Sequence, residues 1–167
     1  MNFTKPALLA VALATVGLSS VANAATSTTF HVRLEITSTC AIDAAAATDV
    51  NFGPHVSTDL NAIAAGQLSV SCTPGTAYNI ALDDGQNSAG GGVTARKMAK
   101  GTDLVPYQLY SNSGRTVVWG NTAGAGGNTV SGSGTGAVQN VPVYGRVPSA
   151  NFPAGTYDDV VTATITY

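Results

Sequence analysis

The side chains able to do chemistry are few and scattered along the chain. Asp83-Asp84 and Asp158-Asp159 are paired carboxylates, but neighbours on a strand point to opposite faces, so neither pair makes a shared acid–base site. Asp83-Asp84-Gly85 reads instead as a turn. The same acids offer too few oxygen ligands to argue a calcium site. His31 falls on the polar side of an alternating segment and His55 follows Pro54 in a turn-like stretch, so both are expected in solvent. No Gly-x-Ser-x-Gly elbow or other nucleophile signature is present. The glycines of Gly132 to Gly136 lack the strand-to-helix setting and the Lys-Ser or Lys-Thr of a phosphate cradle. The expectation is a protein with no catalytic residues, no metal and no cofactor. Trp119, Tyr107 and Tyr110, if on exposed loops, would suit a sugar-binding surface, although such aromatics more often fill a core.

The two cysteines, Cys40 and Cys72, are expected to pair, because the chain opens on an export signal and an oxidising compartment favours the disulfide. Residues 1–24 carry one cation, Lys5, then an apolar run from Ala7, and close on Ala22-Asn23-Ala24, a small-x-small cleavage pattern. The apolar run from Ala7 to Val16 is about half the ~20 residues a spanning helix needs. Cleavage removes one of seven Lys+Arg and none of the nine Asp+Glu, leaving a net charge of −3. No basic cluster remains to neutralise phosphates, so nucleic acid is not an expected partner. What is left is one domain's worth of chain. Charged residues make up 10%, against roughly 25% in ordinary soluble domains. That suits a β-structure whose surface is partly covered by neighbours.

The elements that must carry these residues read as short strands. In Thr28 to Ile36, Phe30, Val32, Leu34 and Ile36 share one face while His31, Arg33 and Glu35 share the other. Further strands are expected at 49–53, 66–73, 77–82, 96–99, 104–110, 116–119, 138–147 and 156–167. Turn residues separate them, as in a β-sandwich. Ala41 to Ala47 and Asn61 to Ala65 are expected to form helical turns, and the low-complexity stretches 85–94 and 120–136 to be mobile surface loops. Val161, Ala163, Ile165 and Tyr167 fall on one face of a strand with no turn or tail after it.

Between these ends a set of local motifs recurs in a telling order: Cys40-Ala41-Ile42, Asn51-Phe52-Gly53, Leu68 to Cys72, Tyr78 to Asp83 with Gly85, Arg96-Lys97-Met98, Tyr107 to Tyr110, Trp119-Gly120, Tyr144 to Pro148 and Ala154 to Asp159. Through them the chain resembles the spore coat protein U domain family, which includes subunits of archaic, Csu-type chaperone-usher pili. The resemblance implies an all-β, immunoglobulin-like β-sandwich lacking its last strand and completed by donor-strand complementation. Its implied partners are further copies of itself, other pilus subunits, a periplasmic chaperone and an outer-membrane usher.

Carried onto this sequence, the resemblance divides it into a signal peptide at 1–24, an N-terminal donor-strand extension at 25–38 and a sandwich domain at 39–167. The donor ladder is Phe30, Val32, Leu34 and Ile36, and the acceptor groove is edged by Val161, Ala163 and Ile165. The implied role is a structural subunit of a surface fimbria, exported through the periplasm and serving attachment and biofilm formation. The alternative is a free-standing secreted coat or carbohydrate-binding protein.

Overall fold

Strand pairing begins where the chain first finds a partner edge, at Cys40. The computed structural model describes residues 25–167, so the export signal at 1–24 lies outside the described residues. Residues 25–35 belong to a first unit and Ile36–Tyr167 form a second. In the first unit the alternating segment is not a strand: no ladder forms, and Phe30, Val32 and Leu34 are 84%, 85% and 85% exposed. Alternation specifies which faces a strand would have, but a strand needs a neighbouring edge to take its N–H and C=O groups. Ile36, at the start of the second unit, is also exposed.

In the second unit the described residues are all-β. The strands are β1 (Cys40–Thr48), β2 (Leu60–Cys72), β3 (Ala77–Leu82), β4 (Lys97–Lys100), β5 (Asp103–Pro106), β6 (Gln108–Tyr110), β7 (Val130–Ser133), β8 (Val138–Ser149) and β9 (Ala163–Thr166). One antiparallel sheet runs β1-β2-β8-β6, a second β7-β3-β9, and β4-β5 is a separate ladder. The core between them includes Val70, Ile80 and Trp119, each fully buried. The Trp119 indole Nε1–H donates to the Ile80 carbonyl at 2.9 Å, so this large ring is buried with its polar atom satisfied.

The β1–β2 register places Cys40 opposite Cys72, and the two form a disulfide with an S–S distance of 2.04 Å. Just before it, Thr73 N–H donates to the Thr39 carbonyl and Thr39 N–H to Thr73 Oγ1. Thr73 Oγ1 also donates to the Thr37 carbonyl, so the chain is held from Thr37 onward.

Several expectations are corrected. Ala41 to Ala47 and Asn61 to Ala65 are not helical turns but parts of β1 and β2. Neither segment is long enough for a helix to propagate, and β2 pairs continuously with β8 from Ala62 to Ser71. The glycine-rich stretch 120–136 is more structured than a mobile loop. It contains β7, and its first part closes on Asn128, whose Oδ1 accepts from Thr122 N–H while its N–H and C=O bond Thr122 and Gly120. Gly132 is required there because a Cβ would stand 2.3 Å from the Tyr78 ring. The expected strand 104–110 divides at Tyr107 into β5, paired with β4, and β6, paired with β8. Pro106, which has no N–H, ends the first ladder. Segments 49–53 and 156–162 are not strands, and 116–119 makes only one bridge, Tyr110 to Val118.

Candidate functional site

Among the strands paired on one side only are β1 and β9. β1 bonds β2 alone and β9 bonds β3 alone, and these are the edges of different sheets. Beyond β9 toward the N-terminus, 156–162 leaves the ladder, and beyond β1, 49–58 does the same. Between these two departing segments lies a groove of about 1370 Å³. Its floor is apolar: Ala62 and Leu68 of β2, Val143 and Val147 of β8, Leu82 of β3, and Met98, Val105 and Leu109 from β4 to β6. An open trench over a sandwich core is costly, because it leaves apolar side chains without packed neighbours.

Each bank is built by specific contacts. On the bank that continues β1, Val50 and Phe52 fold over Gly145 of β8, where a Cβ would come within 2.5 Å of Val50 Cγ1 and 2.7 Å of Phe52 Cζ. His55 Nδ1 lies 2.9 Å from Asp59 Oδ2 and His55 Nε2 lies 3.0 Å from the Phe52 carbonyl. His55 is exposed, as expected, and also ties the bank to itself. Hydrogen bonds from His55 and from Val56 N–H hold the Asp59 carboxyl below its ordinary range. Gly145→Val is expected to push this bank outward, costing about 1–3 kcal/mol as an overpacking change. Faster amide exchange across residues 49–57 would register the displacement.

The bank leading into β9 is pinned at three places. Lys100 Nζ donates to the Ala154 carbonyl at 2.7 Å and lies over the Tyr157 ring. Asp158 and Ala99 exchange both backbone hydrogen bonds. Asp159 accepts from Gln86 N–H and Asn87 Nδ2 at 2.9 Å each and from the Tyr107 hydroxyl at 2.6 Å. Burial, with the Asp159 hydrogen bond and charge, drives the Tyr107 pKa far above the normal phenol value. Tyr107 thus stays a neutral donor to that carboxylate.

Beneath Tyr107 lies Arg96, with no solvent exposure. Its guanidinium donates to the Leu82, Asp83 and Trp119 carbonyls and to Gln108 Oε1. Burial lowers the Arg96 pKa, and the Tyr107 phenol and the acids Asp83, Asp84 and Asp159 act in the opposite direction. The Asp83 carboxyl also lies below its ordinary range: desolvation raises it, but the N–H groups of Thr162 and Gly85 and the Arg96 charge together outweigh that effect.

Of the residues expected at an acceptor edge, Val161 and Ala163 line the groove. Ile165 packs against the core beyond the groove lining. Of the aromatics considered for a sugar surface, Trp119 and Tyr107 are buried and Tyr110 is half-buried. Among the described residues no group of three or more His, Cys, Asp or Glu could hold a metal ion. The bank at 49–59, the Asp159 fastening and the Arg96 staple were missed by reasoning from sequence. The one available signal was the motif Arg96-Lys97-Met98, which marks Arg96 as part of the family pattern.

Residues 26–164 match the family model described as the Spore Coat Protein U domain. The chain belongs to the Spore Coat Protein U domain family. This spore coat U chain is 37% identical over 182 residues to "Protein U" of Myxococcus xanthus, an alignment that covers 100% of both proteins. It is also similar to a chain in the crystal structure of the CsuC-CsuE chaperone-tip adhesion subunit pre-assembly complex, from archaic chaperone-usher Csu pili of Acinetobacter baumannii. That similarity has a TM-score of 0.57 at 26% identity and covers 79% of this chain. The spore coat U chain spans 40% of the length of that protein. Family and structural neighbour are structural kinds of protein rather than enzymes.

Proposed function

We propose that this protein is a structural subunit of an archaic chaperone-usher pilus that polymerises by donor-strand exchange. The observation that carries the reading is the groove with an apolar floor between the segment that continues β1 and the segment that leads into β9, in a chain that also bears an unpaired apolar ladder, Phe30, Val32, Leu34 and Ile36, exposed to solvent. The sandwich lacks a last strand, and the ladder of the next copy supplies it. Backbone hydrogen bonds to the free edges give affinity, and alternating side chains give register. Four such side chains contribute about 6–12 kcal/mol of burial before ordering costs, at ~1.5–3 kcal/mol each.

In this reading residues 1–24 are a cleaved export signal, 25–38 the donor extension and 39–167 the acceptor domain. Val161 and Ala163 take part in the acceptor edge, and Ile165 supports it from the core side. A periplasmic chaperone fills the groove first and the exchange takes place at an outer-membrane usher. The similarity to a chain of a chaperone-tip adhesion subunit complex supports the chaperone step. The product is a surface fimbria that serves attachment and biofilm formation. A free-standing coat or carbohydrate-binding protein fits less well, because Trp119 and Tyr107 lie in the interior.

The test is removal of residues 25–37, with stability followed by thermal melting. The truncated chain is expected to melt well below the assembled full chain and to recover when a peptide spanning Thr26 to Ile36 is added. Equal stability of the two chains, with no effect of peptide, would sink the reading.

A further inference from the structure

Apart from tyrosines, the ionisable residues on the groove banks are four, and two are already engaged: His55 bonds Asp59 and the Phe52 carbonyl, and the Asp159 carboxylate takes three donors. The other two are Asp49, on the bank that continues β1, and Asp158, on the bank that leads into β9. Both are exposed, and among the described residues neither carboxylate makes an ion pair. Within 25–38, where the exposed apolar ladder lies, the polar face carries His31, Arg33 and Glu35. A strand laid in the groove with Phe30, Val32, Leu34 and Ile36 downward turns that polar face up between the banks.

We propose that Asp49 and Asp158 form a two-sided acidic clasp that reads Arg33 of a second copy and sets the register of its inserted extension. This inference rests on the donor-strand reading above and adds the residues that select the partner's position. A slip of one residue would turn Arg33 and Glu35 into the apolar floor. A slip of two residues keeps the apolar ladder downward but moves the strand about 7 Å along the groove. In one direction it puts Glu35 where Arg33 belongs, between two carboxylates. Apolar side chains alone distinguish two-residue slips poorly, so the charge pattern supplies the discrimination. Exposed charges of this kind govern encounter rate and specificity more than final affinity.

The experiment follows assembly of the mature full chain by light scattering and electron microscopy, at low and high salt. Arg33→Glu is expected to slow assembly about tenfold at low salt, with a much smaller effect at 0.5 M, where screening confines charge interactions to a few ångströms. Combining Arg33→Glu with Asp49→Arg and Asp158→Arg is expected to restore the rate. Asp49→Asn with Asp158→Asn, which removes charge without reversing it, should slow assembly less and abolish its salt dependence. Circular dichroism of each variant establishes that it is folded. Independent effects with no recovery in the combined variant, or an Arg33→Glu rate equal to the unaltered chain's, would overturn the clasp while leaving donor-strand exchange intact. If the unaltered chain forms no assembly, the donor-strand reading fails and the clasp with it.

Discussion

Leu34→Asp leaves the chain folded and able to bind its chaperone but unable to form fibres. Leu34 is 85% exposed, so the substitution is expected to carry little local structural cost. Its effect appears only when the ladder must enter the groove. There the aspartate would lie on a floor made by residues such as Val143, Val147 and Leu109, and an ionised carboxylate without a partner in such a site costs several kcal/mol. The same change also removes about 1.5–3 kcal/mol of leucine burial. Together these exceed the factor needed to stop a step that depends on strand exchange. Electron microscopy of cells expressing the variant, alongside co-purification with the chaperone, checks both halves. Normal fibres would show that Leu34 does not face the groove, and loss of chaperone binding would show that the substitution acts on the folded domain.

The second large effect is expected at Arg96. Its guanidinium spans the two sheets, holding the Leu82 and Asp83 carbonyls at the end of β3, the Trp119 carbonyl and the Gln108 side chain of β6. Beside the groove this staple ties β3 of one sheet to β6 of the other. Arg96→Met keeps the side chain's length but leaves three carbonyls without those donors. The expected cost is about 3–5 kcal/mol, within the range for removing one partner from a buried charged network. For a domain of this size that is a fall in melting temperature of roughly 10–20 °C. Arg96→Lys is expected to recover only part of it, because an ammonium cannot present the planar fork that reaches both sides. A melting temperature for Arg96→Met within about 3 °C of the unaltered chain would show that the carbonyls find other donors, and the staple would lose its meaning.

The groove arises from the same conditions that defeat a reading of the chain as a string of strands. Segments 49–53 and 156–162 are expected as strands, yet neither is one, because each turns out of the ladder of the strand it adjoins. Ala41 to Ala47 and Asn61 to Ala65 show the reverse: weak local preference becomes strand because β2 lies between two partners. A small-residue segment takes its conformation from what its backbone can bond to, and sequence period does not report that. The glycine-rich stretch behaves likewise, since β7 exists because β3 offers it an edge.

By itself the sequence determined the all-β class, the pairing of Cys40 with Cys72 and the alternation of apolar and polar residues over 30–36 and 161–165. Each of these follows from residue type and a period of two, which are local properties. Only the tertiary structure decided that Ile165 packs beyond the groove lining, that Trp119 and Tyr107 are interior, and that Arg96, Tyr107 and Asp159 connect core to bank. Those outcomes depend on contacts between residues far apart in the chain, such as Asp159 with Gln86 and Arg96 with Trp119. A buried arginine or a tyrosine–carboxylate pair has no period to betray it. It becomes visible only when the sheets that desolvate it are assembled.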